Sequence, residues 1–104
     1  MKKLFIVANW KSNKTSLDAG EWLHRFMNYD LGFMNKDVII CPSFTLLSNL
    51  KSYFLNHKST IKLGAQDISP FDEGAYTGEI NGKQIKEFAD YVLIGHSERR
   101  KNFL

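Results

Sequence analysis

A single cysteine, Cys41, is all the sequence offers for disulfide chemistry. No internal disulfide framework can staple the fold, and the usage suits a reducing, cytoplasmic setting. No apolar run reaches the length of a bilayer-spanning helix, so no membrane span is expected. The opening residues, Met1 to Asn9, start basic but hold only the short apolar run Leu4-Phe5-Ile6-Val7-Ala8. That run is too short for the core of a secretory signal and reads as a strand. Neither GxGxxG nor GxxxxGK occurs, so the phosphate-cradling glycine loops of nucleotide-binding folds are missing. His24, His57 and His96 have neither ligand spacing nor an accompanying cysteine or carboxylate pattern, so no metal is expected. Net charge is +3, but the basic residues are dispersed. Only Arg99-Arg100-Lys101 forms a run, and no aromatic ladder goes with it, so no nucleic-acid surface is expected.

What is present is an ordinary globular balance, 43% hydrophobic and 24% charged over 104 residues, enough for one domain with one core. Leu4 to Ala8 is continuously apolar, the pattern of a strand buried on both faces. Thr15 or Ser16 can cap a following helix, in which Ala19, Leu23 and Phe26 recur at helical spacing beside Trp22. Asp37 to Cys41 reads as a second strand, stopped by Pro42. Leu46, Leu47, Leu50, Tyr53 and Phe54 then form one helical stripe, and Ile61 to Asp67 a third strand. Residues 69 to 80, with Pro70, Gly74 and Gly78, read as a long loop, and long loops in compact domains are usually functional or disordered. Asn81 with Gln84 three residues on is a capping-box start for a short helix whose apolar face is Ile85, Phe88 and Ala89. Strand alternating with helix predicts βαβ units and a parallel sheet.

The pattern culminates in Tyr91-Val92-Leu93-Ile94-Gly95-His96-Ser97-Glu98-Arg99-Arg100. Four apolar residues suit a buried parallel strand, Gly95 a tight turn, and Ser97 with the charges after it a helix start. The mouth formed where parallel strands end and helices begin is where α/β folds keep their chemistry. A histidine there faces backbone N–H groups and a positive helix end, which favour a neutral, hydrogen-bond-donating ring.

This decamer resembles the fourth strand and loop of the triosephosphate isomerase family. Ala8-Asn9-Trp10-Lys11-Ser12-Asn13, Gly64-Ala65-Gln66-Asp67 and Gly74-Ala75-Tyr76-Thr77-Gly78-Glu79 resemble three further motifs of that family, in the family's order. The resemblance runs from residue 4 to residue 100. It implies the N-terminal half of a (β/α)8 barrel, with four parallel strands, intervening helices and a barrel left incomplete. Residues 1–104 would form one partial domain, from the first strand to the start of the helix after the fourth.

The family interconverts dihydroxyacetone phosphate and glyceraldehyde 3-phosphate through an enediolate, without a cofactor. It is itself a well-known case of tuned pKa values, a glutamate base working beside a neutral histidine electrophile. The resemblance implies that His96 is that electrophile and that Lys11 is the fixed cation facing the anionic substrate. Asn9 would be a substrate contact beside Lys11, and Glu98 a secondary catalytic group. Gln66, Gly74, Tyr76, Thr77, Gly78 and Glu79 would serve the dimer interface, in a homodimer acting on a phosphorylated triose. The general base is expected to be missing, since none of Glu73, Glu79, Glu87 or Glu98 matches its motif and the chain stops before a fifth strand. The glycine-rich phosphate loops after the seventh and eighth strands are missing as well. The chain alone is therefore expected to be inactive, and the alternative reading is a non-catalytic half-barrel remnant or assembly module. The other half would come from a longer gene product, a separate complementary chain or a second copy.

Overall fold

The computed structural model describes residues 4–27, 36–95 and 97–102. Its elements follow in strict alternation: β1 (Leu4–Asn9), α1 (Ser16–Met27), β2 (Lys36–Cys41), α2 (Phe44–Asn56), β3 (Lys62–Ala65), α3 (Gly82–Lys86), β4 (Tyr91–Val92) and α4 (Ser97–Asn102). The strands form one sheet in the order β1-β2-β3-β4. All three pairings are parallel, with Ala8 opposite Ile40, Ile40 opposite Leu63, and Ala65 opposite Val92. Sequential order with parallel pairing is that of the N-terminal half of a βα barrel. Among the described residues no helix is long and apolar enough to cross a membrane.

Local chemistry sets the helix boundaries. Thr15 caps α1 reciprocally: the Asp18 amide donates to Thr15 Oγ1 at 3.3 Å, and the Thr15 amide donates to Asp18 Oδ2 at 3.1 Å. Hydrogen bonds to the carboxyl from the Thr15 amide and the Thr15 side chain, helped by the nearby Lys14 charge, hold the Asp18 carboxyl below its usual value. α3 has the expected box, the Gln84 amide donating to Asn81 Oδ1 at 2.9 Å and the Asn81 amide to Gln84 Oε1 at 3.1 Å. α2 closes with a Schellman pattern. The Ser59 amide reaches the Phe54 carbonyl at 2.9 Å, the Lys58 amide reaches the Leu55 carbonyl at 3.3 Å, and Lys58 itself is left-handed at φ 50°. A side chain there works against the turn. Lys58→Gly is expected to raise stability by about 1 kcal/mol, read as a higher urea midpoint.

One face of the sheet carries the core. Trp10, Ile40, Leu63 and Ala65 pack with Ala19 and Leu23 of α1, Leu46, Leu47, Leu50 and Phe54 of α2, and Ile85 and Ala89 near α3. Each buried leucine or isoleucine contributes roughly 1.5–3 kcal/mol. Trp22 stacks on Phe26 at 4.7 Å and meets Trp10 edge-on at 5.3 Å, closing the core under β1.

The opposite face is open at the edge strands, while Ile39 and Cys41 of the central β2 are buried on it. There the Phe5 ring of β1 meets the Tyr91 ring of β4 edge-on at 6.4 Å. This corrects the reading of the first and fourth strands as buried. Leu4 and Phe5 are more than half exposed, Ile6 and Val7 nearly half, and Tyr91 and Val92 each 37%. The cause is position: β1 and β4 are the edges of the four-stranded sheet, so each has a strand on one side only. β4 is also shorter than its apolar run, although the Leu93 amide extends the ladder to the Ala65 carbonyl at 2.8 Å.

Candidate active site

β1 ends in a turn whose backbone is tied down residue by residue. The Trp10 amide still donates to the Cys41 carbonyl of β2 at 3.0 Å, and then the ladder stops. Lys11 takes the left-handed conformation at φ 56°, which costs a side-chain-bearing residue roughly 1–2 kcal/mol. Three contacts offset that cost. The Lys11 amide donates to Asn9 Oδ1 at 2.9 Å, and Asn13 Nδ2 donates to the Trp10 carbonyl at 2.8 Å. From the end of β3, Gln66 Nε2 donates both to the Lys11 carbonyl at 2.8 Å and to the Cys41 carbonyl at 2.9 Å. The side chain following β3 therefore locks the strained residue following β1.

The Lys11 ammonium lies 2.5 Å from Glu98 Oε1, in the first turn of α4. Both side chains are partly exposed, so the pair adds little to stability. Its value is to hold one cation in one place, at the mouth where the strands end. Beside it, Arg99 Nε lies 3.3 Å from Asp67 Oδ2. Asn9, Lys11, Gln66, Asp67, Glu98 and Arg99 line a cleft of about 340 Å³, together with Ser12 and Phe44. The entry to α4 turns at Gly95, whose φ of 63° favours glycine. A methyl group there would also lie 2.7 Å from the Arg100 guanidinium. His96 lies outside the described residues.

The structure thus brings together Asn9, Lys11, Gln66 and Glu98 of the expected site residues. It places Gly74, Tyr76, Thr77, Gly78 and Glu79 elsewhere, on the exposed loop between β3 and α3. The neck of that loop is closed by the Ser69 amide donating to the Ile80 carbonyl at 2.9 Å. Its tip carries Phe71 and Tyr76 stacked at 4.3 Å and each nearly half exposed. Gln66, expected to serve the dimer interface, donates its amide to the Lys11 and Cys41 carbonyls. Cys41 is buried on the inner side of β2, and desolvation pushes its thiol up to about 11, so it packs as a neutral group. Sequence reading missed two features here, the left-handed Lys11 and the Asp67–Arg99 pair. The only signal for the pair was that each member adjoins a residue already singled out.

The sequence model of one protein family, described as triosephosphate isomerase, matches residues 4–104. The triosephosphate isomerase of Trichodesmium erythraeum (strain IMS101) is 43% identical over 105 residues, which cover 99% of this chain and 43% of that protein. That of Dictyoglomus thermophilum is 41% identical over 104 residues, covering 99% of this chain and 41% of its own length. That of Mycoplasmopsis pulmonis is 43% identical over 109 residues, covering 99% and 44% respectively. The chain spans less than half the length of these curated relatives.

Proposed function

The chain belongs to the triosephosphate isomerase family, and from that premise we propose that it carries the electrostatic half of a site interconverting dihydroxyacetone phosphate and glyceraldehyde 3-phosphate. The observation that supports this most is Lys11. A lysine in a left-handed turn, tethered from Asn9 and Gln66 and facing a cleft, is a cation fixed before substrate arrives. Pre-set charge is what stabilises an enediolate, because no reorganisation is needed as negative charge grows on the carbonyl oxygen. In this reading Lys11 faces that charge and the phosphate, and Asn9 orients the lysine and contacts substrate. His96 donates a hydrogen bond to the oxygen, and Glu98 holds the ammonium in the unliganded site. A base must take the proton from the carbon next to the carbonyl, and no glutamate of this chain matches that role. The complementary half supplies it, along with the phosphate loops.

The exposed loop with Gly74, Tyr76, Thr77, Gly78 and Glu79 is the dimer contact in the same proposal, in a cytoplasmic enzyme. The uncovered apolar side chains of β1 and β4 are surfaces that a complementary half, in the same or another chain, would cover. The test is an isomerase assay of the purified 104 residues, alone and with the C-terminal half of the Trichodesmium relative. No turnover alone and turnover on mixing is the expected result. Turnover by the chain alone, or none from a mixture that demonstrably co-elutes, overturns it.

A further inference from the structure

α4 presents Ser97, Glu98, Arg99, Arg100, Lys101 and Asn102, a helix without one apolar residue. Among its described residues there is no hydrophobic stripe to seat it on the sheet. Ionic contacts to the strand ends give it a position: Glu98 to Lys11 after β1, and Arg99 to Asp67 after β3. The two contacts are made by neighbouring residues. Asp67 in turn follows Gln66, whose amide holds the Lys11 carbonyl. A closed circuit results, from the Lys11 ammonium through Glu98, Arg99, Asp67 and Gln66 back to the Lys11 backbone.

We propose that Asp67 and Arg99 are a positioning pair, which fixes the first turn of α4 so that Glu98 meets the Lys11 ammonium. Its bearing on catalysis rests on the isomerase reading, but its geometry does not. Arg99 also lines a second, smaller cleft of about 130 Å³ with Ser69, Gly78, Glu79 and Ile80, at the base of the long loop. The same guanidinium therefore stands between that loop and the Lys11 cleft, so the circuit ties the base of the loop to the site. Both members are partly exposed, so the pair is a poor stabiliser of the fold. What it can do is restrict where Glu98 goes.

The test uses the 104-residue chain and needs no turnover. Competitive acetylation with acetic anhydride, read by mass spectrometry, reports the accessibility of the Lys11 amine, with Lys14 as internal reference. Glu98→Gln calibrates the assay by removing the partner carboxylate. Asp67→Asn is expected to raise Lys11 labelling severalfold, nearly as far as Glu98→Gln does, with Lys14 labelling and the urea midpoint unchanged. The charge swap Asp67→Arg with Arg99→Asp is expected to bring protection back. Unchanged Lys11 labelling in Asp67→Asn overturns the proposal, and so does a Glu98→Gln variant that labels like the parent. In the active mixture with the complementary half, Asp67→Asn is expected to lower kcat while KM moves little. A mixture without activity counts against the isomerase reading alone, because the labelling result stands without it.

Discussion

Lys11→Met, in the assembly of this chain with a complementary C-terminal half, is expected to lower kcat/KM by at least ~10²–10³-fold, the scale of removing one pre-set electrostatic group. Methionine keeps most of the stem's volume and removes the charge, so the loss reads the charge and not a cavity. Both steady-state constants move. On the proposed reading KM is expected to rise, because the phosphate of a bound triose would lose its counter-charge, and kcat to fall, because an enediolate would carry more charge near the cleft than the substrate. Arginine is not expected to rescue, since its planar fork cannot occupy the position of a compact ammonium against Glu98. Lys11 is also left-handed at φ 56°, so Lys11→Gly should be more stable than the parent and equally inactive, function and local strain residing in one residue. A Lys11→Met assembly within tenfold of the parent would remove the lysine from the mechanism.

Much of this fold was legible because its signals are local. The Asn81–Gln84 box, the stop at Pro42 and the stripe Leu46, Leu47, Leu50 and Phe54 each appear in the structure where the sequence places them. Local rules could not predict the exposure of β1. An apolar run announces a strand with apolar neighbours, and for Leu4 to Val7 no second neighbouring strand lies among the described residues. The site divides in the same way. Lys11 and Glu98 were singled out through family motifs, and the structure joins them at 2.5 Å across most of the sequence. The left-handed turn at Lys11 left no trace in residue type, because a glycine would have announced it and a lysine does not. Beside the local Asn9 and Asn13 contacts it is held by the Gln66 amide, 55 positions away in the chain, and a contact at that separation is set by the register of β1, β2 and β3.

That register also leaves no room at Gly64, whose absent side chain faces the inner side of the sheet. A Cβ built there would lie 2.7 Å from Cys41 Sγ, 3.4 Å from Ile39 Cγ2 and 3.5 Å from Tyr91 Cβ. Cys41 is 1% exposed and Ile39 4%, so neither can swing away into solvent. Gly64→Ala is therefore expected to destabilise the chain by about 1–3 kcal/mol, the usual cost of an added methyl in a filled core, and Gly64→Val by more. Gly64 is not left-handed, so backbone strain has no part in this. In open space the same change would stabilise by about 0.4–1 kcal/mol through the unfolded chain. The two effects separate in a double-mutant cycle followed by urea unfolding. In a Cys41→Ala background the sulfur that collides is gone, and Gly64→Ala should become neutral or stabilising. A cost that persists there would place the clash on Ile39 or Tyr91. No cost in either background would mean that β2 and β3 are not packed at this register, and with them would go the Gln66 tether that sets Lys11.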